Sequence, residues 1–196
     1  MKMIPKNTVK LIQFLLRNPN QFGYNINQIA KFLKISAGSS FKILKELEKS
    51  KIVVAQNIGN AIYYSLNLNN PETIKLCELL LLTEKRDLSG YAKLYSEALQ
   101  EFKSAKLIIL FGSVLNKKEF NDVDVLFVTN NLRGVTDFCL ELSKIRTKPI
   151  VPLILKKEDL IKEFKNKNEA ISSLIKNGII LKGESLFVEV IKNVKQ

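Results

Sequence analysis

The sequence predicts an α+β protein of two domains, and three observations carry that prediction. Residues 1–70 read as three amphipathic helices followed by two strand-like runs. Residues 104–196 alternate apolar strands with helical stretches, which predicts a mixed sheet flanked by helices. Residues 71–103 read as linking helices between the two. A chain of 196 residues accommodates two small domains, and 46% apolar content supplies their cores.

The first helix is expected over residues 8–17, where Val9, Ile12, and Leu15 or Leu16 recur at helical spacing. Asn18-Pro19-Asn20 ends it. Asn25 or Asn27 caps a second, shorter helix whose inward residues are Ile29, Ala30 and Leu33. Ser36 caps a third, with Phe41, Leu44 and Leu47 as its buried stripe. Strands follow over residues 51–56 and 61–66. Asn57-Ile58-Gly59-Asn60 makes the turn between them, where Gly59 supplies a positive φ.

Three helices and then a hairpin is the order of a winged helix-turn-helix. The stretch from Asn25 to Leu66 resembles the DNA-binding domains of regulators of the multiple-antibiotic-resistance and arsenic-repressor type. The resemblance implies that the third helix enters the major groove of double-stranded DNA. Gly38, Ser39, Ser40, Lys42 and Lys45 would then face outward. The small residues allow close approach, while Lys42, Lys45 and Lys49 neutralise phosphates. The DNA-binding residues expected on this basis are Ser39, Ser40, Lys42, Lys45 and Lys49. Charge agrees with a polyanionic partner: residues 1–70 hold ten basic and two acidic side chains, +8 of the chain's net +12.

Asn67 to Pro71 breaks the pattern. Residues 72–82 then read as a helix whose Leu79–Leu82 cluster is more apolar than a one-sided helix requires. It is expected to pack between domains or between subunits, which makes a homodimer an expected assembly. Residues 88–103 form a second helical run.

The most informative stretch is residues 111–128, FGSVLNKKEFNDVDVLFV. A strand over residues 106–111 ends in the pair Gly112-Ser113. A second strand carries Asp122 and Asp124, two residues apart. Strand side chains alternate faces, so both carboxylates point the same way. Oxygen ligands of this kind suit Mg²⁺, and backbone N–H groups of the turn suit a phosphate.

This ordered set resembles the signature of the polymerase-β-type nucleotidyltransferase superfamily, in particular its minimal members. The resemblance implies that Asp122 and Asp124 hold Mg²⁺ as the catalytic carboxylates. It also implies that Gly112 and Ser113 hold the terminal phosphates of a nucleoside triphosphate. A nucleotidyl group would pass to a hydroxyl on a protein or other acceptor.

The chain departs from that pattern. Asp122 comes only nine positions after Ser113, Val114-Leu115-Asn116 replaces the usual small-basic-Gly run, and Asn121 stands where Ser commonly precedes the first Asp. A third carboxylate is expected on a later strand. The candidate strand, residues 150–155, carries none, and Val151 falls about where it would be. The reading therefore has two rivals. One is a non-enzymatic transcriptional regulator with a degenerate nucleotidyltransferase domain. The other is an antitoxin-like protein that modifies or covers a cognate toxin.

Beyond the motif, residues 135–146 read as a helix with Phe138, Leu142 and Ile145 inward. A long charged helix over residues 157–177 ends at Gly178, a residue favoured just past a helix C-terminus. A strand over residues 179–182 and a helix near residues 185–195 complete the domain.

The chain has no His, which excludes imidazole bases, Ser-His-Asp triads and His-ligated zinc. Cys77 and Cys139 lie far apart in apolar contexts and are expected to be buried free thiols in a reducing cytoplasm. No signal peptide is visible, and no apolar run approaches ~20 residues, so no membrane partner is expected.

Overall fold

The computed structural model describes residues 4–116 and 119–195. It is an α+β structure with two sheets, and it divides into two compact units. Unit 1 holds residues 4–80 and 191–195, and unit 2 holds residues 81–190. The first boundary therefore falls inside a helix rather than at residue 70.

Unit 1 opens with α1 (Lys6–Arg17), β1 (Tyr24–Asn25), α2 (Ile26–Leu33) and α3 (Ala37–Lys49). A hairpin of β2 (Val53–Ile58) and β3 (Ala61–Leu66) follows. The turn is shorter than expected. Ile58 pairs with Ala61, which leaves only Gly59 and Asn60 in the connection. Gly59 takes φ 56°, as a Gly at the first central position of such a turn can.

The sequence showed two strands here, and the structure has three in the order β1-β3-β2, all antiparallel. β1 is two residues long and pairs Tyr24 with Tyr64 and Asn25 with Tyr63. Asn25 then caps α2: its side chain accepts from Gln28 N while Gln28 returns a bond to Asn25 N, both at 2.9 Å. Leu11, Ile12, Leu16, Ile29, Leu44 and Tyr64 are fully buried and form the heart of the unit's core.

The inward stripe of α3 differs from expectation. It runs Ser40, Leu44 and Leu47, whereas Phe41 is 48% exposed. Offsets of four and seven residues fit the helical period at least as well as three and six. The small Ser40 side chain is the one enclosed.

Helix α4 (Pro71–Arg86) crosses the boundary between the units. Cys77, Leu80 and Leu81 are buried, while Leu79 and Leu82 of the apolar cluster are exposed. Unit 2 continues with α5 (Gly90–Leu99), β4 (Leu107–Phe111), a short 3-10 turn (Ser113–Leu115), β5 (Val123–Val128), α6 (Leu132–Ile145) and β6 (Ile150–Leu155). Next come α7 (Lys157–Lys165), α8 (Glu169–Asn177), β7 (Ile179–Lys182) and α9 (Glu184–Lys195). α9 runs into residues of unit 1.

The four strands lie in the order β6-β5-β4-β7. β4 is antiparallel to β5 and β7, and β5 is parallel to β6. A parallel pair needs a crossover, and α6 supplies it. On one face of the sheet Ile108, Leu110, Val123, Val125 and Phe127 join Tyr95, Leu99, Val135 and Cys139 in one apolar cluster. Tyr95 pins the start of β6 from this layer: its hydroxyl donates to Lys148 O and accepts from Lys148 N. On α6 the residues enclosed are Val135 and Cys139. Ile145, expected inward, is 74% exposed.

Two further expectations change in the second half. The long helix over residues 157–177 is two helices. Lys167 takes φ 57°, and Asn168 then caps α8 by accepting from Ala170 N and Ile171 N. Gly178 does end α8, but with φ −74° rather than a left-handed turn. Its reason is space: a Cβ there would lie 2.6 Å from Ile109 Cγ2 and 2.7 Å from Leu174 O. Among the described residues, no helix is long and apolar enough to cross a membrane.

Candidate functional site

The register of β4 and β5 sets the geometry around the Gly-Ser pair. Phe111 is paired with Asp124, so the chain leaves β4 opposite the second residue of β5. Val123 and Val125 enter the apolar cluster, so Asp124 between them faces the other side of the sheet. Asp122 precedes the strand and, like Asp124, is half-buried.

Gly112 makes the turn with φ 81° and ψ −157°, a region open essentially to glycine alone. A Cβ on Gly112 would collide with Asp124 Oδ2 and stand 3.0 Å from its Cγ. The Asp124 carboxylate therefore lies directly against the Gly112 backbone. The 3-10 turn follows, closed by Leu115 N donating to Gly112 O and Asn116 N to Ser113 O.

Burial pushes the Asp124 carboxyl above its ordinary value, and the negative charge of Asp122 adds to the shift. The folded state thus holds a proton on Asp124 more readily than the unfolded state. Its contribution to stability falls as pH rises through the carboxylate range. A cation between the two groups would reverse that penalty.

Val151 is the Cα partner of Asp124 across the parallel β5/β6 pair, and it is 46% exposed. The position expected for a third acid is thus beside Asp124 and carries an apolar side chain. Among the described residues, no group of three or more His, Cys, Asp or Glu is placed to hold a metal ion. A metal here would be held by Asp122 and Asp124 alone, with the remaining ligands from water or a phosphate.

On α3, Ser36 caps the helix by accepting from Ser39 N at 3.1 Å, and its hydroxyl donates to Ser39 Oγ. Ser39, Lys42, Lys45 and Lys49 are exposed, as expected. Ser40 is not: it is fully buried, so it cannot reach a partner outside the protein. Lys45 is bonded to Glu48 at 2.8 Å, which raises its pKa, and its ammonium sits 5.9 Å from the Phe41 ring centroid. Lys42 and Lys49 are the remaining exposed cations on this helix.

Both cysteines are buried and neither is in a disulfide, and burial pushes the Cys139 thiol up to about 11, so it stays protonated and inert. The periodicity missed two aromatic residues near the turn, Tyr91 and Phe120, which meet edge to face at 5.4 Å. They lie far apart in sequence and follow no shared pattern. Comparison with protein-family models, with curated proteins and with solved structures found no match.

Proposed function

We propose that this protein binds a Mg²⁺-nucleoside triphosphate at Gly112, Ser113, Asp122 and Asp124, and binds double-stranded DNA through α3. On this reading unit 1 is a winged helix-turn-helix and unit 2 a nucleotidyltransferase-like domain. The carrying observation is the Asp124 carboxylate held against a glycine-only backbone, with Asp122 close enough to raise its pKa. Two carboxylates in partial burial repel each other, and stability alone gives no reason to keep them. A divalent cation relieves that repulsion. Mg²⁺ is commonly bound by one or two carboxylates together with substrate phosphates.

Transfer of a nucleotidyl group to a hydroxyl acceptor, with pyrophosphate leaving, is the second reading. The Asp-x-Asp pair favours it through the charge a metal would neutralise on the reacting oxygens. Val151 beside Asp124 weighs against it, because no carboxylate stands there to take the acceptor's proton. A regulator that senses nucleotide fits the same site without chemistry, and so does an antitoxin-like protein that covers its partner.

Asp124→Asn separates function from architecture. The substitution removes a repelled carboxylate, so the metal-free protein should melt at the same temperature or higher. Metal-dependent binding of nucleoside triphosphate, followed by calorimetry with and without Mg²⁺, should disappear. Equal Mg²⁺-nucleotide affinity in the two proteins would remove the assignment. Label passing from an α-labelled nucleotide to a host extract, with the wild type but not the variant, would establish transfer.

A further inference from the structure

We infer that Phe41 is a base-reading residue, which selects A·T pairs by contact with the C5-methyl group of thymine in the major groove; this rests on the DNA reading of α3 above. The rotation of α3 is what brings it forward. Ser40 is fully buried and Phe41 is 48% exposed, the reverse of the expected stripe. Lone exposed apolar side chains are common and need no explanation. What distinguishes Phe41 is the face it shares.

Phe41, Lys42, Lys45 and Lys49 follow Gly38 by three, four, seven and eleven residues, so all five lie along one side of the helix. All five are exposed. That side changes character along its length. Its start is small or apolar, with Ala37, Gly38 and Phe41, and the rest is cationic. A Cβ on Gly38 would meet nothing within 4 Å, so the first turn presents bare backbone to whatever approaches.

The two halves suit the two kinds of contact a recognition helix makes. Lysines meet phosphates, which positions the helix and carries no sequence information. Base edges are read from the N-terminal end of such a helix. Few side chains there are equipped to read them. Ser40 is enclosed. The Ser39 hydroxyl is engaged by Ser36 Oγ at 2.9 Å. Ala37 and Gly38 carry no polar side-chain group, and Glu46 comes only in the third turn. α3 has no Arg, Asn or Gln for bidentate pairing with guanine or adenine. The Phe41 ring is the large group left at that end. In the major groove an apolar side chain recognises one feature, the methyl of thymine. The Lys45 ammonium, 5.9 Å from the ring centroid, ties the ring to the basic face.

The experiment uses the full chain and two duplexes, alternating dA-dT and alternating dA-dU, which differ only in the C5-methyl group. A single strand of dT is the third probe. Affinity is measured across a range of salt for wild type, Phe41→Ala and Phe41→Leu. Thermal melting checks the folds, and sedimentation without DNA reports the oligomeric state. Wild type should favour the thymine duplex roughly fourfold for each methyl that meets the ring. Phe41→Ala should bind the two duplexes equally, at an unchanged salt slope, since it removes no charge. Phe41→Leu keeps an apolar tip and should retain a preference for thymine. Equal binding of the duplexes by wild type, with a steep salt slope, would overturn the base reading and leave DNA binding itself standing. A thymine preference that survives in Phe41→Ala would belong to duplex shape, and the inference would fall. So it would if the loss in Phe41→Ala were confined to the single strand, where the ring would be stacking on unpaired bases. A dimer that Phe41→Ala dissociates would make the ring a contact between copies instead. Wild type that shows no salt-dependent binding to either duplex would overturn both readings.

Discussion

A single glycine shows how tightly the candidate site is specified at the scale of residues. Gly112 meets two independent demands. Its backbone sits where a side chain is strained, and its missing Cβ makes room for the Asp124 carboxylate. Gly38, in the first turn of α3, meets neither: its backbone is helical and a Cβ there would meet open space. The two glycines should therefore respond oppositely to alanine. Gly112→Ala should cost about 2 kcal/mol or more in urea unfolding and should weaken Mg²⁺-nucleotide binding by displacing Asp124. Gly38→Ala should leave stability unchanged or raise it by up to about 1 kcal/mol. Similar small effects at both positions would show that the Gly112 conformation relaxes freely. The Gly-Ser pair was readable in the sequence as a turn beside a strand. The contact that makes the glycine necessary was not, because Asp124 reaches it only through the β4/β5 register.

Elements show the same division between local and distant causes. The capping box of α2 is local: Asn25 and Gln28 are three residues apart and satisfy each other's backbone donors. Asn25→Ala should lower the stability of unit 1 by about 1 kcal/mol. For a domain of this size that is a drop of about 4–8 °C in its melting midpoint. A midpoint unchanged by the substitution would mean that the α2 terminus is held by its surroundings instead. The strands β3, β6 and β7 were legible to the residue, because apolar runs bounded by turn residues are also local signals. What escaped depends on residues far away or on a choice between equivalent periods. β1 is a strand only because Tyr63 and Tyr64 pair with it from nearly forty residues on. The rotation of α3 that encloses Ser40 and exposes Phe41 is decided by what packs against the helix. Its own period allows either face. The break between α7 and α8 is the exception: it escaped although its signal, Asn166-Lys167-Asn168 with Asn168 as a good cap, is local.

At the scale of the whole molecule, the informative quantity is where the charge lies. Residues 1–70 carry +8 of the net +12, and on α3 not all of it is equally available. Lys45 is engaged by Glu48 and lies near the Phe41 ring, so a phosphate must displace an existing partner to reach it. Lys42 and Lys49 are exposed along the same helix and, on the proposed reading, would be the better phosphate contacts. Each neutralised phosphate contributes about 0.9 to the slope of log affinity against log salt on duplex DNA. The double variant Lys42→Ala, Lys49→Ala should therefore flatten the slope by about 2 and weaken binding to any duplex at low salt. The control must remove the same charge from elsewhere, since net charge alone attracts DNA at long range. Lys162→Ala with Lys165→Ala, on α7 of unit 2, serves that purpose. It should lower the association rate modestly and leave the slope close to that of the wild type. If both double variants flatten the slope equally, the affinity for DNA belongs to the charge of the chain as a whole. If only the α3 pair does so, that helix is the surface that lies on the duplex.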